Sequence, residues 1–125
     1  MPKRKGYAMR RLLITDSRDD PWSAAERQLH RLLRKAGIKG WRTNVPVLGY
    51  HLDLAWLNEK VEIEVDGFEH HGTRESFERD RMRDQVLTSH GWTVLRVTWA
   101  QLQHDPEGFL RRLRRVLRRQ RALAA

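Results

Sequence analysis

The stretch VEIEVDG at residues 61–67 alternates apolar and acidic side chains. Successive side chains of an extended strand point to opposite faces, so this stretch predicts a strand with one aliphatic and one acidic face. The acids are Glu62, Glu64 and Asp66. Carboxylates held a few ångströms apart repel one another and raise one another's pKa. The acidic face therefore requires a cation, which is an arginine, a lysine or a divalent metal.

Three short extended runs with tight turns between them predict two antiparallel hairpins. The runs cover about residues 42–47, 50–57 and 61–66. Pro46 cannot donate a ladder hydrogen bond, so the first strand is predicted at an edge of the sheet.

Helical spacing of apolar residues predicts three helices around these strands. They cover about residues 23–36, 74–90 and 105–125. The apolar side of the second helix is predicted to carry Phe77, Met82, Val86 and Leu87.

A β-branched apolar run at residues 92–99 predicts a fourth, buried strand. The preceding helix can return the chain so that this strand lies parallel to the third. The predicted fold is an α/β sandwich of order α-β-β-β-α-β-α with a small mixed sheet. It forms a single domain over residues 22–125, preceded by a basic arm at residues 1–21.

Composition limits the partners and the site chemistry. Twenty-five Lys and Arg against sixteen Asp and Glu give a formal net charge of +9, which predicts a polyanionic partner. Nucleic acid is favoured over a membrane because no apolar run is long enough to span one. The absence of cysteine excludes disulfides and thiolate ligands. No apolar signal segment begins the chain, so a soluble cytoplasmic protein is expected.

Asp53 adds a fourth carboxylate beside the acidic strand. It is flanked by leucines in the second strand, and a tight turn brings it close to Glu64 in the third. An unpaired buried charge is costly, so Asp53 is expected in a polar site at the edge of the core. Magnesium binds a few carboxylates, a backbone carbonyl and water, so Asp53, Glu64 and the Val65 carbonyl are candidate ligands.

An alternative to the metal is an exposed acidic sheet face with salt bridges to the second helix. The arginines available there are Arg74, Arg79, Arg81 and Arg83.

A metal at this position would lower the pKa of its water and stabilise charge on a scissile phosphate. An imidazole titrates near neutral pH, so His71, or its neighbour His70, is a candidate general acid or base. The alternative is that both are ordinary loop histidines. Glu26 has two open roles: with Ser23 it forms a capping box, or it reaches the acidic cluster as an outer ligand.

The last helix combines an apolar stripe with a dense set of arginines. They are Arg111, Arg112, Arg114, Arg115, Arg118, Arg119 and Arg121. Such a set can contact phosphates without reading base sequence, and Lys3, Arg4 and Lys5 add a second basic patch. The alternative is a solvated charged helix.

Five segments occur in an order that closely resembles the DUF559 family, relatives of the very-short-patch repair endonuclease in the PD-(D/E)XK nuclease superfamily. They are SAAERQLHRLL, GYHLDLAW, VEIEVDGFEHH, FERDRMRDQVL and GWTVLRVTW. The resemblance covers about residues 22–118. It implies a three-layer αβββαβ restriction-endonuclease-like core, a Mg²⁺ cofactor for which Mn²⁺ can substitute, and cleavage of DNA.

The resemblance also implies roles for individual residues. Asp53 matches the acid of the second strand, Glu64 that of the third, and Glu26 that of the first helix. His71 matches the histidine that closes the motif. Asp66 stands where many members have lysine, so it would ligate a metal or orient His71 or a water. The "DR" pair on the second helix is matched by Asp80 and Arg81.

The chain departs from the very-short-patch enzymes in having no cysteine for their zinc site, so mismatch repair is not implied. Three functions stay open: a nicking metal-dependent DNA endonuclease, a catalytically silent nucleic-acid-binding protein, and a ribonuclease or toxin-like effector. Acids facing phosphate repel it without a metal, which favours an enzyme. A monomer should nick, whereas a double-strand break requires a homodimer or two successive nicks.

Overall fold

A computed structural model describes residues 21–66 and 73–124 of the chain. The elements in chain order are α1 (Pro21–Lys35), β1 (Arg42–Val47), β2 (Tyr50–Trp56), β3 (Val61–Asp66), α2 (Arg74–Ser89), β4 (Thr93–Thr98), α3 (Trp99–His104) and α4 (Pro106–Ala124). The predicted α/β class and order are confirmed, with one additional short helix, α3. No helix in this part of the chain has both the length and the apolar composition required to cross a membrane.

The four strands form one mixed sheet in the order β1-β2-β3-β4. The first three are joined by antiparallel hairpins, and β4 lies parallel to β3, as predicted. Pro46 lies in β1, at the edge of the sheet. The β1–β2 turn consists of Leu48 and Gly49, whose φ angles of 52° and 85° are the positive values that a tight two-residue hairpin turn requires.

Helices cover both faces of the sheet. On one face α1, α3 and α4 bury Leu29, Leu102 and Leu113 against Ile63 of β3. On the other face α2 packs through Leu87. This three-layer arrangement buries β3 on both sides, so Val61 to Val65 are all buried.

The predicted apolar side of α2 is wrong for Phe77 and Met82 and confirmed for Leu87. Phe77 and Met82 are 49% and 55% exposed, whereas Arg83 and Leu87 are 6% and 0% exposed. The helix covers the sheet face that carries Glu62, and a buried carboxylate there requires a counter-charge. The helix therefore turns Arg83 inward beside Leu87, and Phe77 and Met82 face solvent.

The starts of two helices, α1 and α4, have residues suited to a helix N-terminus. The α1 helix begins at Pro21, a favourable first residue because proline has no amide hydrogen to leave unpaired. Ser23 therefore lies inside the first turn, and the choice between a capping role and an outer-ligand role for Glu26 stays a prediction. The chain breaks between α3 and α4 at Asp105, whose carboxylate accepts a hydrogen bond from the Gly108 amide at 3.1 Å and caps α4.

Candidate active site

The site begins where the pairing of β2 and β3 ends. The paired residues run from Trp56 and Val61 to Leu54 and Ile63. The next residue on each strand is acidic: Asp53 on β2 and Glu64 on β3. The hairpin therefore brings these two predicted metal ligands to the same level of the sheet.

The acidic face of β3 is buried under α2, not exposed. Glu62 and Glu64 are 0% and 3% exposed, and both form ion pairs with the guanidinium of Arg83. Of the four arginines that the sequence offers from this helix, Arg83 is the one that reaches the strand acids among the described residues. When both carboxylates are ionised, the three groups together have a net charge of −1.

The environment of Glu62 favours its neutral form. Burial raises the pKa of Glu62 well above its ordinary value, and the charge of Glu64 and a hydrogen bond with that carboxyl raise it further. Arg83 lowers the pKa of Glu62 but does not reverse the shift, and Asp53 adds to it. The Oε1 atom of Glu62 is buried and has no hydrogen-bond partner among the described residues. Glu62 therefore holds a proton more readily than a solvated carboxylate does.

Arg83 itself stays charged. Burial alone would lower its pKa, but the charges of Glu64, Glu62 and Asp84 outweigh burial and raise it. Asp84 accepts a hydrogen bond from Arg83 at 3.3 Å and also pairs with Arg96 of β4. Because Arg96 lies opposite Glu64 in the β3–β4 register, the ion pairs connect three elements around the acids.

The donor chemistry at the end of the β2–β3 pairing fits a divalent metal. Across residues 21–66 and 73–124, no three acidic or imidazole side chains converge on one point. Magnesium typically binds through one or two carboxylates and fills its other positions with water, so it does not require three. Asp53 and Glu64 supply two carboxylates, and the carbonyl of Val65 is that of the residue next to Glu64.

The remaining predicted site residues are distributed around this end of the sheet. Asp66 is half-buried at the end of β3, opposite Thr98. Glu26 is half-buried on α1, and Gln28 two residues later donates to the carbonyl of Leu102 in α3, which follows the end of β4. Glu26 therefore lies at the same end of the sheet as Asp66. Five predicted residues lie outside the described part of the chain: Lys3, Arg4, Lys5, His70 and His71.

The arginines of α4 are largely solvent-exposed. Arg114 is half-buried and donates to the carbonyl of Ala36 at 3.4 Å, and Arg121 pairs with Glu59 at 2.8 Å. The other five are exposed, and none of them has an acidic partner within the described ranges: Arg111, Arg112, Arg115, Arg118 and Arg119.

The central role of Arg83 was missed by the sequence argument, which named it only as one of four possible salt-bridge donors. One signal was present. Arg83 and Leu87 are four residues apart and therefore share a helix face, so burial of Leu87 predicts burial of Arg83.

Known proteins resemble this chain in both sequence and fold. An uncharacterized protein of Haemophilus influenzae is 30% identical over 90 residues, which cover 70% of this chain and 74% of that protein. The uncharacterized protein YcjD of Escherichia coli K12 is 33% identical over 96 residues, which cover 75% of this chain and 80% of that protein.

Among solved structures, the catalytic domain of the homing endonuclease I-Bth0305I has a TM-score of 0.64 to this chain at 21% sequence identity. The likeness covers 77% of this chain and 95% of that domain, and it shows a shared fold. The family profile REase_MTES_1575 matches residues 25–117, which include all four strands and the Asp53–Glu64 pair. The chain therefore belongs to the REase_MTES_1575 family, which is restriction-endonuclease-like and of the DUF559 type.

Proposed function

We propose that the protein is a metal-dependent endonuclease that hydrolyses phosphodiester bonds in DNA and nicks one strand at a time. The observation that carries the proposal is the pair of acids, Asp53 and Glu64, at the end of the β2–β3 pairing in a restriction-endonuclease-like fold. The similarity to a homing endonuclease catalytic domain supports DNA as the substrate.

In this proposal Asp53, Glu64 and the Val65 carbonyl hold Mg²⁺, or Mn²⁺ in its place, and Asp66 is a further ligand or orients a water. The bound metal supplies Lewis-acid stabilisation of the charge on the phosphate and a water of lowered pKa. Glu26 is an outer carboxylate at the same end of the sheet. His71 is the general acid or base that moves a proton to or from the reacting oxygen.

Arg83 is a positioning residue in this proposal. Its guanidinium pairs with the carboxylates of Glu62 and Glu64, so it restricts Glu64 to one orientation at the site. The other terminal nitrogen of Arg83 donates to Asp84, which also pairs with Arg96. A ligand held in this way loses less conformational entropy when it binds a metal, which is the advantage of a preorganised site.

Phosphate contacts are assigned to the basic residues outside the carboxylate site. In α4 they are Arg111, Arg112, Arg114, Arg115, Arg118 and Arg119, and in the N-terminal arm they are Lys3, Arg4 and Lys5. Contacts of this kind raise affinity for any sequence and make binding sensitive to salt.

A catalytically silent nucleic-acid-binding protein is the second candidate. It is favoured by the ion pair between Arg83 and Glu64, since this pair already neutralises a carboxylate that a metal would otherwise neutralise. The two candidates differ in one respect: the enzyme requires a divalent metal for turnover, whereas the silent binder shows no turnover with any metal.

The test is cleavage of supercoiled plasmid in Mg²⁺, Mn²⁺ or EDTA, with single-stranded DNA and RNA as parallel substrates. We expect metal-dependent conversion of supercoiled plasmid to nicked circles by the wild type, and its loss in Glu64→Gln. Glu78→Gln removes an exposed acid of α2 and is expected to retain activity. Cleavage of RNA alone would identify a ribonuclease or toxin-like effector, and binding without cleavage would identify the silent binder.

A further inference from the structure

The arginines of α4 and the acids of β3 lie on opposite faces of the sheet. Leu113 and Leu117 of α4 pack in the same core as Ile63. Glu64, the next residue on the strand, points to the other face and pairs with Arg83 of α2. The sheet and the full thickness of α4 therefore separate the carboxylates from arginines on the solvent side of α4.

The α4 helix also runs away from the carboxylate end of the sheet. It starts after α3, close to the level at which Asp66 pairs with Thr98. Near its C-terminus, Gln120 donates to the Glu59 carbonyl at 2.9 Å, in the turn that precedes β3. From Val61 to Glu64 the strand advances about 10 Å, at about 3.3 Å per residue. The C-terminal part of α4 thus lies beside the turn that precedes β3, at the opposite end of that strand from Asp66.

Arg115 and Arg118 are two of the exposed arginines of α4, and we call them the distal arginines. Both are exposed, and neither has an acidic partner among residues 21–66 and 73–124. They are three residues apart, so their charges lie side by side on the helix and repel. A bound polyanion would relieve that repulsion.

The chemistry of α4 favours a nucleic-acid backbone over a lipid surface as the polyanion. A membrane-adsorbed helix inserts an apolar face into the lipid. Here the apolar face of α4, through Phe109, Leu113 and Leu117, is buried in the core and faces away from the distal arginines. Guanidinium groups without an accompanying apolar face suit phosphates in water.

We propose that the distal arginines form a second phosphate-binding surface, which holds a segment of duplex away from the bond that is cleaved. The sheet and α4, a helix about 10–12 Å thick, lie between the distal arginines and the carboxylates, so a duplex that contacts both must extend around these layers. The inference rests on the proposed function for the identity of the nucleic acid. It adds that a duplex must exceed a minimum length to contact the carboxylate site and the distal arginines at the same time.

The test compares binding of a duplex of about 40 base pairs with binding of a hairpin of about 6, since only the longer one spans the distance to the distal arginines. Affinity is measured in EDTA by fluorescence anisotropy over a range of salt concentrations. The variant is Arg115→Gln/Arg118→Gln, and Arg74→Gln/Arg79→Gln is the matched control, which removes two exposed arginines at the carboxylate end of the sheet.

We expect the distal variant to reduce the salt slope for the long duplex by about 1.8, at about 0.9 per lost phosphate contact, and to reduce the slope for the hairpin by less, because the hairpin occupies only one of the two surfaces at a time. The matched control is expected to weaken binding of both DNAs. Arg115→Lys/Arg118→Lys retains both charges and is expected to bind the long duplex as the wild type does, which separates loss of charge from any loss of folding.

Three results would overturn the proposal. In the first, the distal variant has wild-type salt slopes for both DNAs. In the second, the salt slope of the distal variant falls equally for the long duplex and the hairpin, which would place the distal arginines beside the cleaved segment. In the third, it loses binding to anionic phospholipid vesicles while duplex binding is intact. Because binding is measured without metal, a wild type that cleaves nothing would refute the proposed function and leave this comparison valid.

Discussion

Removal of the Arg83 guanidinium is the perturbation with the largest expected effect on folding. Arg83→Met keeps an unbranched side chain of comparable reach and deletes the charge. It leaves Glu62 and Glu64, which are 0% and 3% exposed, without their shared counter-ion. The guanidinium is itself 6% exposed, so solvent does not screen the pair in the wild type.

The magnitude follows from this burial. Breaking a buried ion pair by removing one partner costs about 3–5 kcal/mol, because a buried charge is left uncompensated. Glu62 already has a raised pKa, so it can take up a proton and relieve part of the cost. We therefore expect a loss near the lower value, about 3 kcal/mol at pH 7. Arg83→Lys keeps the charge but loses the second terminal nitrogen, which pairs with Asp84, so its loss of stability is expected to be smaller than that of Arg83→Met.

The assay is equilibrium unfolding in urea at pH 5 and pH 8, which gives a free energy of unfolding for a two-state domain of this size. A carboxyl whose pKa is raised in the folded state stabilises the fold below its unfolded value, here 4.5, and this contribution is lost as pH rises through the folded pKa. The Arg83→Met deficit should therefore be larger at pH 8 than at pH 5. A free energy of unfolding equal to that of the wild type, or a deficit independent of pH, would refute the buried ion-pair cluster.

Four further variants test the acidic pair, a helix cap and the packing of α2. Glu62→Gln replaces the carboxyl of raised pKa by a neutral amide. Thermal unfolding of this variant should therefore show a higher melting temperature at pH 8 than the wild type and a weaker dependence on pH. A lower melting temperature at pH 8 would contradict this reasoning. Gly108→Ala places a methyl group 2.1 Å from an Asp105 carboxylate oxygen. It should lower the free energy of unfolding in urea by about 1 kcal/mol, as loss of a helix cap does. An unchanged free energy of unfolding would mean that the cap adapts. Leu87→Ala should cost about 2–5 kcal/mol and Phe77→Ala about 0.5 kcal/mol or less, and the reverse order would show that α2 packs through its apolar periodicity.

Local patterns were sufficient to predict the strands. The alternation in β3, the short turns and the edge-strand position of Pro46 are properties of neighbouring residues, and each matches the sheet that forms. The short helix α3 was missed because Trp99 reads as the continuation of an apolar strand. It forms because the Thr98 hydroxyl and the Gln101 side chain cap the first turn reciprocally, which is a local signal that apolar periodicity ignores.

The orientation of α2 could not be predicted in the same way. Apolar periodicity assigns Phe77 and Met82 to the core, but the surface that the helix covers is acidic because of residues on another element. Whether Arg83 is buried depends on its long-range pairing with Glu62 and Glu64, and only the packed sheet reveals this pairing. Electrostatics between distant residues outweighs the local pattern here, since an unpaired buried carboxylate costs more than exposure of an apolar side chain.

The most direct test of the nuclease site is the separation of cleavage from binding in Asp53→Asn. This variant removes one proposed metal-binding carboxylate and changes few atoms otherwise. Nicking of supercoiled plasmid in Mg²⁺ and affinity for the same DNA in EDTA are measured on the variant, on the wild type and on the Glu78→Gln control. The nuclease proposal predicts that Asp53→Asn loses nicking and binds DNA as tightly as the wild type or more tightly, because a negative charge facing phosphate is gone. Nicking at the wild-type rate by Asp53→Asn would contradict the assignment of the site.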